Sequence, residues 1–127
     1  MNKRRKKIGL SPGTVIFTGD RQVEKVRTHY IKYNPEGFEE KILDDQFIFQ
    51  PPSAASIDWY DMRGMHNTAL IEKLGLAFNI HPLVLENAVD IHQSPKFEEY
   101  ENGNFIILQS LNFDKNKNIV QKEHIAI

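Results

Sequence analysis

The chain has 127 residues, enough for one domain with a sizeable core, and its apolar (40%) and charged (26%) fractions are those of a globular protein. Its net charge of −1 conceals an asymmetry, because five of the first seven residues are basic and the remainder carries 11 basic against 17 acidic residues, a balance of −6. The lack of cysteine excludes disulfides and thiolate metal sites and fits a reducing compartment, and no apolar run exceeds four residues, far short of the roughly 20 that span a bilayer. No signal peptide follows the basic start.

Residues 1–7 read as a disordered, solvated basic tail. The run is short and has no interleaved aromatic residues, so no nucleic-acid partner is implied. Residues 8–127 form the domain. Gly9-Leu10-Ser11-Pro12-Gly13 is a turn-rich lead-in. Thr14 to Thr18 is β-branched and aromatic, which predicts a strand. Gly19-Asp20 predicts a turn into a second strand over Val23 to Tyr33, and so a hairpin. Asn34-Pro35-Glu36 predicts the cap of a short helix to Lys41. Pro51-Pro52-Ser53 is a loop, and Ile57 to Asp61 a short buried strand. Asn67 is a good helix cap, and Leu70, Ile71, Leu74, Ala77 and Phe78 follow at helical spacing. Gly75 marks the expected end of that helix. Pro82 suits the first position of the next, which should run to Ile91 and stop before Pro95. Lys96 to Glu101 and Phe105 to Phe113 predict strands joined at Asn102-Gly103. A polar turn over Asp114 to Asn118 leads into a last strand from Ile119. Strands mixed with helices predict an α/β fold, a mixed sheet with helices packed on it.

Few residues suggest chemistry. Glu86 and Asp90 are four apart, so a continuous helix would stack them on one exposed face, where two repelling carboxylates offer oxygen to a hard divalent cation. Asn87 adds a neutral carbonyl oxygen beside them. Glu98, Glu99 and Glu101 make a second acidic cluster on a strand, with Glu98 facing away from the other two. The five histidines (His29, His66, His81, His92 and His124) show no zinc-binding spacing and read as structural. Nucleotide-binding glycine motifs, a serine elbow and a cysteine nucleophile are all absent, which argues against an enzyme.

A resemblance to a known family rests on His81-Pro82-Leu83, Leu85-Glu86-Asn87, His92-Gln93-Ser94-Pro95-Lys96 and Phe105-Ile106. It extends to Gly9-Leu10-Ser11-Pro12-Gly13-Thr14, to Trp59, to Gly64-Met65-His66, and to Leu74-Gly75 and Phe78-Asn79-Ile80. Together these resemble the cytosolic domain of the CorA family of magnesium and cobalt channels. The resemblance implies a homopentameric channel for Mg²⁺, often Co²⁺. Each subunit of such a channel has a cytosolic α/β domain, a long stalk helix and two membrane helices. Divalent ions bound between neighbouring cytosolic domains hold the pore closed.

Carried over residue by residue, the resemblance places a regulatory inter-subunit metal site at Glu86, Asn87 and Leu10, with Leu10 offering a backbone oxygen. Asn87 stands where the family carries an acid, and Asp90 is a nearby carboxylate that could compensate. Ser94 replaces the family's usual arginine. The chain is thus expected to be an N-terminal piece of the cytosolic part, not itself conducting. It would sit at the cytoplasmic face of the membrane, touch it only through later segments, and bind Mg²⁺ weakly alone. Two alternatives remain at this point: a stand-alone protein-interaction domain of the same fold, and part of a zinc-transporting relative. A sheet left with an exposed edge is expected to pair or swap between copies.

Overall fold

The computed structural model describes residues 9–19, 25–44 and 46–127. Among them the order is β1 (Arg27–Asn34), β2 (Gly37–Leu43), β3 (Ile57–Arg63), α1 (Thr68–Phe78), α2 (Pro82–Val89), β4 (Lys96–Tyr100), β5 (Gly103–Asp114) and β6 (Ile119–Ala126). The α/β architecture is the expected one, with helices packed on sheet. The strands divide into two three-stranded sheets, β2-β1-β3 and β4-β5-β6, and every pairing among the described strands is antiparallel. The basic tail expected at residues 1–7 lies outside the described residues.

Two local expectations are corrected. Thr14 to Thr18 joins no ladder. Its apolar residues find burial against the helices instead: Val15 packs with Ile71, Leu85 and Val89. Among the described residues the hairpin predicted from it is not seen: β1 starts at Arg27 and pairs with β2 and β3. Asp20 of that turn lies outside the described residues. The second correction concerns Asn34 to Lys41, which is a tight turn and a strand rather than a helix. The Asn34 side chain accepts from the backbone N–H groups of Glu36 (3.0 Å) and Gly37 (3.1 Å), so it closes a turn. Cross-strand partners then hold Gly37 to Leu43 extended: Phe38 lies opposite Tyr33, and Lys41 opposite Tyr30 with its ammonium 5.3 Å from the ring centre.

The helices follow their caps. Asn67 Oδ1 accepts from the Leu70 amide at 3.2 Å, and α1 then runs past Gly75 to a left-handed Asn79 (φ 52°). Gly75 therefore sits inside the helix rather than at its end. A Cβ there would meet Leu85 Cδ1 at 2.3 Å, so the glycine sets how closely α1 and α2 approach. His81 caps α2, with Nδ1 accepting from Leu83 N at 3.2 Å and Pro82 following it. The helix ends at Val89, two residues before the expected Ile91, because Asp90 turns extended (φ −90°, ψ 98°).

α2 unites the core. Leu85 and Val89 join Val15 and Ile71 on one side, while Val84 and Ala88 join Phe105 and Ile107 on the other. Met65 and Ile80 pack against both groups. The β4–β5 and β5–β6 hairpins form as expected, the second around Asp114, whose carboxylate accepts from the amides of Asn116 and Lys117. Among the described residues no helix is long and apolar enough to cross a membrane.

Candidate metal site

The lead-in segment lies along α2. It folds back on itself through Thr14, whose hydroxyl donates to Ser11 O at 2.6 Å and whose amide donates to the same oxygen at 3.3 Å. That turn delivers Gly13 to the start of α2. Gly13 has φ +82°, and a Cβ at this position would sit 2.9 Å from Pro82 Cβ. Only glycine meets both demands without displacement. From this place the Gly13 amide donates to Glu86 Oε2 at 2.8 Å. Beside the contact is a cavity of about 240 Å³ lined by Leu10, Ser11, Pro12, Thr14 and Glu86. Leu10 is 45% exposed at its rim, and Glu86 is half-buried.

Two of the four site residues named from sequence, Glu86 and Leu10, therefore share one cavity. Asn87 and Asp90 do not line it. Asn87 is half-buried, and its backbone oxygen accepts from the Asp90 amide at 3.3 Å. Asp90 has a different task from the one expected of it. The exposed Glu86–Asp90 stack is corrected, since Asp90 has left the helix and both carboxylates are half-buried against the lead-in segment. Asp90 Oδ1 accepts from the Thr18 hydroxyl at 2.8 Å and from the His92 amide at 3.2 Å, and Gln93 approaches Oδ2 at 3.5 Å. Thr18 is 2% exposed, and its oxygen accepts in turn from Ile91 N at 3.2 Å. Gly13 and Thr18 were not singled out from the sequence. The turn-forming pattern around Gly13 was visible, but nothing local marks Thr18 as a partner of Asp90.

The second acidic cluster is accounted for by its neighbours. Glu98 receives Lys96 at 2.9 Å and the Tyr100 hydroxyl at 2.8 Å. The Lys96 ammonium first, and then the Tyr100 hydroxyl, hold the Glu98 carboxyl below the usual range, while Glu98 pushes the Tyr100 phenol up. The histidines are scattered. His81 caps α2, His124 Nε2 lies 2.9 Å from Ala88 O, His29 approaches Glu40, and His66 meets the edge of Phe17. Among the described residues no group of three His, Asp or Glu side chains could hold a metal.

The cavity therefore offers hard oxygen: one carboxylate, a hydroxyl and the carbonyls of a turn. This is a donor set suited to Mg²⁺ rather than Zn²⁺, which prefers imidazole and thiolate. A single carboxylate cannot complete a six-coordinate shell without water or a second set of groups.

Residues 54–127 match the family described as CorA-like Mg²⁺ transporter protein. The chain is 34% identical over 122 residues to the cobalt/magnesium transport protein CorA of Thermotoga maritima. The alignment covers 95% of this chain and 34% of that protein, so the chain spans about a third of its relative's length.

Proposed function

Because the chain belongs to the family of CorA-like Mg²⁺ transporter proteins, we propose that it is the cytosolic regulatory part of a divalent-cation transporter, with Glu86 and Leu10 forming one half of a Mg²⁺ site. The observation that carries this reading is the shared cavity. A carboxylate from α2 and an exposed turn from the lead-in segment meet there, and among the described residues Glu86 is the charged group that lines it. The other half of the coordination shell comes from a neighbouring subunit of a homopentamer. Mg²⁺ then bridges two domains and steadies their contact, and Co²⁺ can take the same oxygen donors. Asn87 and Asp90 stay outside the shell, Asp90 because the Thr18 hydroxyl and the His92 amide share its Oδ1 while Gln93 approaches its Oδ2. Conduction, attachment to the membrane and the place at its cytoplasmic face belong to the longer protein. The role is that of a sensor and subunit contact, not of an enzyme.

Titration calorimetry tests the half-site. The 127-residue chain should bind Mg²⁺ weakly, and E86Q should abolish what binding there is. Micromolar affinity in the monomer, unchanged by E86Q, would place the cation elsewhere. Light scattering with and without Mg²⁺ adds the assembly arm, in which the cation favours the oligomer in wild type and not in E86Q.

One observation favours a second role, that of a protein-interaction domain. The outer face of β2-β1-β3 carries Phe38 (73% exposed) beside Tyr33, with Ile57 on Tyr33's other side and Trp59 next to Ile31. A row of this kind on an open sheet is the mark of a covered surface. Substitution of Phe38 and Trp59 by serine should leave Mg²⁺ binding intact and lower self-association if this face, rather than the cavity, joins copies.

A further inference from the structure

The lead-in turn meets the start of α2 at Gly13. Gly13 holds a left-handed φ and packs its α-carbon against Pro82, and its amide donates to Glu86 Oε2. We propose that Gly13 is a positioning residue for the Glu86 site, and that its amide couples cation occupancy to the Leu10–Thr14 turn. The inference rests on the reading of Glu86 as cation-facing. It goes further by naming the group that aims the carboxylate and the segment that responds.

The argument is one of geometry and linkage. A glutamate side chain has three rotatable bonds, and fixing them costs rotamer entropy. A backbone donor removes that cost beforehand, because the turn holding it is itself fixed by Thr14 on Ser11 O. An ionised carboxylate has about four lone-pair positions, so the Gly13 amide on Oε2 does not by itself exhaust its capacity to ligate. Groups that orient a metal ligand in this way typically change affinity by about 10- to 100-fold. Coupling of this kind is reciprocal. If the amide strengthens cation binding, the cation must strengthen the amide contact by the same factor. The turn that bears Leu10 is then tightened when Mg²⁺ arrives, and the loop becomes the reporter of the site.

Gly13 is separated from other polar contacts of the fold. Thr18, five residues later, serves Asp90 at the opposite end of α2. The loop can therefore respond to Glu86 while the rest of the segment stays locked.

The test is amide exchange by ¹⁵N NMR on the 127-residue chain, with Mg²⁺ alone as the probe. In wild type, saturating Mg²⁺ should slow exchange of the Gly13 amide by about tenfold. In E86Q the amide keeps an oxygen acceptor but a neutral one, so its exchange without Mg²⁺ should be at most a few-fold faster than in wild type, and Mg²⁺ should no longer change it. In G13A the Mg²⁺ dissociation constant should rise by about tenfold. If G13A does not fold, the comparison of wild type with E86Q decides alone. A Glu86-dependent Mg²⁺ response that leaves Gly13 exchange unchanged overturns the coupling while the site stands. No Glu86-dependent response anywhere in the spectrum overturns both.

Discussion

The middle of α2 and its C-terminal cap carry the same kind of charge and meet the same segment, yet they do different work. Glu86 and Asp90 are four residues apart, half-buried, and each accepts a hydrogen bond from the lead-in. At Asp90 the helix has ended, and the carboxylate turns to a hydroxyl that is 2% exposed. Its oxygens also take the His92 amide, so this end is a lock. At Glu86 the helix continues, the donor is a backbone amide, and a cavity of about 240 Å³ opens beside it. A carboxylate whose partners are buried side chains serves the fold. One that takes a loop amide and also borders a cavity can serve a ligand. Helix termination, not residue type, separates the two.

The comparison breaks most visibly at Asp90. D90A removes the acceptor of a buried hydroxyl and of the His92 amide. Leaving a buried donor unpaired costs about 1–3 kcal/mol, and the lost bond to His92 adds to it. A total of about 2–3 kcal/mol is expected from denaturant unfolding, with D90N milder because it keeps one acceptor oxygen. If D90A unfolds at the same denaturant concentration as wild type, Asp90 is not the lock and the contrast fails.

Gly75 sharpens the contrast from the opposite side of α2. An alanine there gains about 1 kcal/mol of helix propensity but pushes a Cβ to 2.3 Å from Leu85 Cδ1. Overpacking of this kind costs about 1–3 kcal/mol, so a net loss of about 1 kcal/mol is expected in thermal unfolding. Leu85 directly precedes Glu86. G75A should therefore disturb the Gly13 contact, read from that amide's chemical shift, more than it disturbs Thr18. Equal shifts at both would mean that α2 moves as one body and that the two contacts are not independent.

How much of this was legible in the sequence depended on whether local signals and tertiary partners agreed. Asn67 and Asp114 each accept from backbone amides within a few residues, and Pro82 opens α2 with a preset φ, so these starts and turns are written locally and formed as read. Asn34 gave a misleading signal. The same side chain can cap a helix or close a turn, and only the pairing of β2 with β1 decides. Val15 and its neighbours have the composition of a strand, but burial against α2 satisfies that composition without a ladder. At the site, Leu10 was reached through family resemblance alone, and Glu86 through both resemblance and its spacing from Asp90. Spacing suggested Asp90 beside Glu86, and it failed because no local residue foretold that Thr18, 72 positions away, would claim that carboxylate.

E86Q should have the smallest effect on stability and the most informative one on function. Glutamine keeps a carbonyl oxygen where Gly13 donates, keeps nearly the same volume, and removes the charge. The hydrogen bond becomes neutral and weaker, which sets the expected loss below about 1 kcal/mol in denaturant unfolding. Glutamine is also a poor ligand for a hard cation, since it brings no charge to offset the cost of stripping water from Mg²⁺. The variant should therefore unfold almost as wild type does while losing the Mg²⁺ response in calorimetry. D90A should show the reverse pattern under conditions where it stays folded: a large stability loss and a retained Mg²⁺ response. If E86Q instead costs as much as D90A, Glu86 is a second lock, and the two carboxylates do the same work after all.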